Sequence, residues 1–403
     1  MKMIIKTWKK RNLIVKILCG IIIGSILGIA FPQATPIGCI GVLFVSALKA
    51  IAPILVFALV MSSISQAGAG IESKFRKVIL LYIISTLVSA IVSVCASYLF
   101  PLTVHLSESY NTTENMKSLA EIFGNLLESI VENPISALMG GNYLGILFWA
   151  IIIGFGLKQI ANKETIAVIG NMSEAISNVV RWIIQFAPFG VMGIVFTTVS
   201  TSGISIFTSY GKLILELVLT MMFVMFVSNP FIIFLCTRKN PFPLVLKCIR
   251  ESAIPAFFTR SSAANIPVNM ALCQRLGLDK NFYSVSIPLG STINMNGAAV
   301  VITIMSLTLA HTLGVYVPIT VAIFLAVIST LGACGTSGVA GGSLLLIPMA
   351  CSFLGISSDI SMQMVAVGFI VGVIQDSIET ALNSSSDVIF TAVAEQMEDK
   401  KNM

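Results

Sequence analysis

The sequence predicts an all-α polytopic membrane protein, and three observations carry that prediction. Of the 403 residues, 56% are hydrophobic and only 10% are charged, against about 25% charged in soluble domains. Apolar runs of spanning length recur along the chain, and about 20 apolar residues cross the hydrocarbon core as a helix. The basic residues are also distributed asymmetrically. With the N-terminus inside, the outer segments hold only Lys117 and Lys212, Lys49 and Arg260 fall within membrane segments, and the other Lys and Arg residues lie inside. This bias orients the chain with both termini cytoplasmic. The net charge of +6 reports that bias and does not point to nucleic acid.

Eight transmembrane helices are expected near 13–31, 39–66, 78–101, 143–160, 178–202, 208–235, a broken 282–313, and 360–392. The first follows MKMIIKTWKKRN and could be mistaken for a signal peptide. It is long enough to span, and no A-x-A-like cleavage site follows it. Pro53 and Pro188 are expected to kink or end their helices. Lys49 and Glu216 are lone charges within spans, where snorkelling or pairing is the expected behaviour. The outer segment 102–140 is acidic, with Glu108, Glu114, Glu121, Glu128 and Glu132 against Lys117. The scattered cysteines form no C-x-x-C pair and read as small hydrophobes. His105 and His311 are too far apart in sequence to suggest a ligand cluster.

Residues 1–240 read as conventional spans with short loops. The character changes over 241–394, ahead of a cytoplasmic tail at 395–403. Residues 241–276 and 319–354 are apolar at both flanks and polar or glycine-rich at their middles. That pattern suits two re-entrant helical hairpins, whose tips must be buried in protein or line a cavity. Each is followed by an apolar helix with a polar interruption. The first hairpin is entered from inside and the second from outside, an inverted-topology repeat. Transporters with such repeats place their substrate site at the repeat interface near the bilayer midplane.

Four constellations in this region carry chemistry. Thr259-Arg260-Ser261-Ser262-Ala263-Ala264-Asn265 reads as a hairpin tip whose hydroxyls and free N–H groups meet a carboxylate; an ordinary cytoplasmic loop is the plainer reading. Asn294-Met295-Asn296-Gly297 marks a helix break whose carbonyls and amides suit a hard cation such as Na⁺, or else a polar helix–helix contact. Gly335-Thr336-Ser337-Gly338-Val339-Ala340-Gly341-Gly342 reads as a flexible second tip or a gate, with a glycine packing face as the alternative. The last is a stripe on the final helix. At 100° per residue, Thr380, Asn383 and Asp387 fall within about 40° of Asp376, and Glu379 about 60° away. Ionisable groups at bilayer depth cost ~2.5 kcal/mol or more each. This stripe therefore suggests a site for a cation and a polar solute, although Arg260 could pair with Asp376 or Glu379.

The motifs TRSSAANIPVNM, PLGSTINMNGAA, GTSGVAGG and QDSIETALNSSSD occur in the order seen in the dicarboxylate/amino acid:cation symporters. NPISALMGGNYLGILFWAI and QFAPFGVMGIV fit the same family's middle helices. The chain thus resembles that family, the glutamate-transporter fold, nearly end to end. Within it the pattern most resembles the bacterial sodium/serine-threonine symporters.

The resemblance implies a homotrimer, a scaffold built from early helices, and a transport domain that slides as an elevator. It also implies that Asp376 holds a substrate ammonium, with Asn383 and Thr380 at the α-carboxylate. Ser261, Ser262, Gly338 and Val339 would come from the two tips. Gly290, Asn294, Asn383 and Asp387 match a sodium site. Thr292, Ala333, Cys334 and Thr336 match a second one, made mostly of backbone. Sodium would act as a coupling ion, not a prosthetic group.

Three departures are informative. Glu379 stands where members handling acidic substrates carry an arginine, and Ala298 replaces a threonine. With Arg260 nearby, both point to small neutral substrates, L-serine and L-threonine. Asn296 replaces an aspartate of a further sodium site whose other ligands Tyr82, Ser85 and Thr86 resemble. The expectation is sodium-coupled import of serine and threonine; a neutral amino acid exchanger and a dicarboxylate:cation symporter are the nearer alternatives. A channel would need a continuous polar pore. An enzyme would need a nucleophile–base pair, and neither H-E-x-x-H nor G-x-S-x-G occurs.

Overall fold

The computed structural model describes residues 13–66, 73–104, 106, 131–203, 206–336 and 341–402. These residues are overwhelmingly helical. The helices are α1 (Leu13–Ala30), α2 (Pro36–Gln66), α3 (Ser73–Leu99), α4 (Pro134–Gly140) and α5 (Tyr143–Ile160). Then come α6 (Lys163–Gln185), α7 (Ala187–Ser202), α8 (Ile206–Phe223) and α9 (Asn229–Thr237). The C-terminal part adds α10 (Phe242–Cys248), α11 (Ile254–Thr259), α12 (Ser262–Arg275), α13 (Lys280–Ile293), α14 (Asn296–Thr312), α15 (Ile319–Ala333), α16 (Ile347–Phe353) and α17 (Ser358–Asn402). π-Helical turns at Val224–Ser228 and Ile249–Ala253 join α8 to α9 and α10 to α11.

Local chemistry explains many of the starts. Asn133, Asn142 and Asn162 cap α4, α5 and α6 by accepting backbone N–H groups, and Asp279 does the same for α13. By length and composition, five helices can cross a membrane, or six if a bent pair counts as one span. That bent pair corrects one expected span. Residues 178–202 do not form a single straight helix; α6 and α7 meet at a 53° bend. Pro188 lies in the first turn of α7, where its missing N–H costs nothing. Pro53 sits inside α2 without ending it.

Two packing groups result. One comprises α1, α2 and α4–α7; the other gathers α3 and α8–α16 around α17. In the first group α1 lies directly on α7. A Cβ on Gly20 would sit 2.3 Å from the Pro188 carbonyl oxygen, and one on Gly24 would sit 2.4 Å from that of Met192. Only glycine allows backbones this close. The second group contains both hairpin-like units, α10–α12 and α15–α16, and α17 runs through it for 45 residues. The helix continues unbroken through the residues expected to form a tail. Near its end Lys77 of α3 binds Glu398 at 2.5 Å and donates to the Met397 carbonyl.

Candidate functional site

The site is built where one helix breaks against another that does not. Asn294 and Met295 leave helical geometry (φ −95°, ψ 77° and φ −115°, ψ 57°), separating α13 from α14. The freed α14 N-terminus is captured by α17, because Gly297 N–H donates to Asn383 Oδ1 at 2.7 Å. Gly297 must be small: a Cβ there would lie 2.8 Å from the Glu379 Cα. Ala298, beside it, is fully buried.

Asp387 faces the same break. Its Oδ1 accepts from Asn294 Nδ2 at 2.8 Å. The same amide donates to Ser386 Oγ at 2.8 Å and reaches the Asn383 carbonyl at 3.4 Å. Asp387 Oδ2 is buried and has no hydrogen-bonding partner. Gly290 leaves the approach open, since a Cβ there would sit 2.8 Å from Asp387 Oδ1 and 2.9 Å from the Tyr82 hydroxyl. A buried carboxylate oxygen without a donor is costly unless a cation joins it. The structure thus brings Gly290, Asn294, Asn383 and Asp387 together, and they fit a hard cation.

Beside this lies the third expected ion constellation. Ser85 and Thr86 hydroxyls donate to Asn296 Oδ1 at 3.1 and 3.0 Å, leaving its Nδ2 buried and unpartnered. The amide here accepts from the two hydroxyls and offers no charge. The second expected sodium set is only loosely assembled. Cys334 Sγ donates to the Ile293 carbonyl at 3.2 Å, which draws the start of the second tip to the end of α13. The Thr292 and Thr336 hydroxyls donate locally, to the Leu289 and Ala333 carbonyls.

Asp376, on the same face of α17, meets the α11–α12 turn at Arg260 and the backbone at Gly341. Arg260, at φ 51° and ψ 34°, ends α11 in the left-handed region uncommon for a non-glycine residue. This turn aims its guanidinium at α17, where Nε meets Asp376 Oδ2 at 2.6 Å and Nη2 donates to the Gly372 carbonyl at 3.3 Å. Asp376 Oδ1 accepts from Gly341 N–H of the second tip at 3.1 Å. Thr380 Oγ1 donates to the Asp376 carbonyl. Ser261 caps α12 through the Ala264 N–H, and Ser262 is buried next to it. Gly338 and Val339 lie outside the described residues.

Arg260 is not the partner of Glu379, which the sequence left as one possibility. Glu379 Oε2 instead accepts from Ser343 Oγ at 2.8 Å and from Gln375 Nε2. The guanidinium reaches Asp376 first, three residues earlier on the same face. Sequence reasoning also missed a clamp holding the first hairpin to α17. Asn269 Nδ2 donates to Ser384 Oγ and to the Ser384 carbonyl, both at 3.0 Å, and Asn265 Nδ2 donates to Ser384 Oγ at 2.7 Å. Ser252 Oγ donates to Asn269 Oδ1 at 2.6 Å. The i, i+4 spacing of Asn265 and Asn269 was the available signal.

Comparison with known proteins assigns the chain to a family. The model of the sodium:dicarboxylate symporter family matches residues 13–397. A protein named serine/threonine transporter SstT from Bifidobacterium adolescentis is 55% identical over 384 residues, covering 95% of this chain and 89% of that protein. A protein of the same name from Streptococcus agalactiae is 54% identical over 397 residues, 98% of each chain. A family match across both packing groups and relatives this similar over full length lead to one conclusion: the chain belongs to the sodium:dicarboxylate symporter family.

Proposed function

We propose that this chain is a sodium-coupled symporter that imports serine and threonine across the cytoplasmic membrane of a bacterium. The observation that carries the reading is Asp387, a buried carboxylate with one oxygen unpartnered beside a broken helix. Sodium would supply the missing positive charge there and tie α13, α14 and α17 into one arrangement. The names of the relatives support the choice of substrates. Glu379 supports it independently, because an acid at that position repels a side-chain carboxylate.

In this reading Asp376 binds the substrate ammonium, while Asn383, Thr380 and the tips at Ser261, Ser262, Gly338 and Val339 bind around the α-carboxylate. The ammonium must displace or share the guanidinium of Arg260. Thr292, Ala333, Cys334 and Thr336 form a second sodium site when the second tip closes. The chain makes eight spans and two re-entrant hairpins with both termini cytoplasmic. Residues 1–240 supply a homotrimeric scaffold and supporting helices, and 241–394 the core that moves as an elevator.

Uptake into proteoliposomes tests the proposal. Serine should accumulate only under an inward sodium gradient; accumulation that persists without the gradient refutes the coupling. Exchange without net uptake would mark an exchanger instead. Asp376→Ala should abolish serine binding, and retained binding would refute the assignment of that residue.

A further inference from the structure

Glu216 stands apart from the constellation at Asp376 and Asp387. It lies on α8 inside an apolar span, 7% exposed. The sequence reading expects it to snorkel or pair, and it does neither. Its Oε1 accepts from Ser97 Oγ at 3.1 Å, and its Oε2 is buried with no hydrogen-bonding partner. Lys212, one turn away on the same helix, is exposed. Among the described residues, the helices packed most closely against α8 carry no Lys or Arg along their buried lengths. α3 has no charged side chain between Lys77 and Leu99, α7 has none at all, and His311 is the sole ionisable side chain of α14. α17 contributes Asp376, Glu379 and Asp387 across its middle, with its lysines only at its far end. An ionised carboxylate can only accept hydrogen bonds. Buried with a single hydroxyl donor, it costs several kcal/mol unless a cation joins it.

Ser97 is also the end of a polar seam. Ser85, Ser89, Ser93 and Ser97 recur every fourth residue on α3, hence on one face, and all are buried. Ser93 Oγ donates to the Ser89 carbonyl and Ser89 Oγ to the Ser85 carbonyl. Ser85 Oγ reaches Asn294 Oδ1 at 3.3 Å and Asn296 Oδ1 at 3.1 Å, next to Asp387. Ser85 and Ser97 are separated by about 18 Å of helix rise. On α14, Thr303 lies two turns beyond Asn296 on the same face, and its hydroxyl is buried and unpartnered. Serines alone could serve helix packing. The orphaned carboxylate bonded into the end of the seam requires more than packing.

We propose that the Glu216 carboxyl, with Ser97, is a second intramembrane site for a monovalent cation, sodium or a proton, at the opposite end of the serine seam from Asp387. The site belongs to the packing group that holds Asp376 and Asp387, so in the elevator reading proposed above its ion moves with that group.

The test uses purified full-length protein in nanodiscs without amino acid, so it stands whatever the transported solute is. The variants are Asp387→Asn, Asp387→Asn/Glu216→Gln and Asp387→Asn/Ser97→Ala. Sodium-induced thermal stabilisation is read at fixed pH, and the infrared carboxylic-acid stretch at fixed sodium. A sodium response that survives in Asp387→Asn and disappears with Glu216→Gln identifies a sodium site. A carboxylic-acid band that disappears with Glu216→Gln identifies a proton site. Ser97→Ala should weaken whichever signal is present about threefold or more. If Glu216→Gln leaves both readouts unchanged, the proposal is overturned. Should that variant not fold, Ser97→Ala decides alone, and unchanged readouts overturn the proposal.

Discussion

The α1–α7 seam and the contact of α13 and α14 with α17 solve one problem in opposite ways. Both bring helices close together where lipid offers no hydrophobic drive. In the first, side chains are removed, so that Gly20 and Gly24 lie against the carbonyls of Pro188 and Met192. In the second, the approach is made through polar groups: Asn294 donates to Ser386 and Asp387, and the Gly297 N–H to Asn383, across a broken helix. Among the described residues, no side chain of α1 or α7 holds a buried polar atom without a partner. The polar seam leaves Asp387 Oδ2 and Asn296 Nδ2 without partners. A contact built by subtraction is inert, and one built from polar groups can hold a residual demand that an ion meets.

The largest expected effect is on the inert side. Gly24→Leu forces a Cβ to within 2.4 Å of the Met192 oxygen. It should cost ~3 kcal/mol or more, as severe overpacking does. Thermal melts in detergent should show it, with neither sodium nor serine restoring stability. Gly156→Leu, with open space around its Cβ, should melt like wild type. If the two variants melted alike, the glycine seam would not be the tight contact described.

On the polar side, Asn269→Ala strands Ser252 and Ser384 and should cost about 2 kcal/mol in the same melts, the penalty for unsatisfied buried groups. Asp387→Asn sharpens the contrast. Removing a buried charge should leave the sodium-free melt nearly unchanged, while sodium half-saturation for serine binding rises at least about tenfold, or ~1.4 kcal/mol. A large sodium-free destabilisation would make Asp387 structural instead. The smallest expected effect belongs to Ser343→Ala, which removes one hydrogen bond to Glu379. Serine affinity measured by calorimetry should fall about fivefold, near 1 kcal/mol.

What the sequence revealed and what it hid follow from range. The helix break at Asn294 and the turn at Arg260–Ser261 were legible because both are local: paired asparagines beside glycine, and a polar centre between short apolar flanks. The polar stripe on α17 was legible because 100° periodicity aligns Asp376, Thr380, Asn383 and Asp387. The break at Pro188 was legible as a kink or helix end, but the apolar run through Phe186 hid that the first helix reaches back to Lys163 and that Pro188 opens a second one. The Ser252–Asn269–Ser384 clamp was hidden because a π-helical turn alters the facing of Ser252. The partners of Arg260 and Glu379 were hidden as well. Three residues on one helix separate Asp376 from Glu379, and only the left-handed turn at Arg260 decides which acid the guanidinium meets.

The unbroken length of α17 has a practical consequence. Its 45 residues extend about 68 Å, roughly twice the ~30 Å hydrocarbon thickness. Asp376 and Asp387 sit along its middle, and Glu398 meets Lys77 near its end. One continuous hydrogen-bonded helix therefore joins the stripe at Asp376 and Asp387 to the Lys77–Glu398 ion pair with no intervening loop to absorb motion. A fluorescent label in the last turn, on a residue other than Glu398 so that the ion pair with Lys77 survives, would report motion of the stripe from a distance along the same helix.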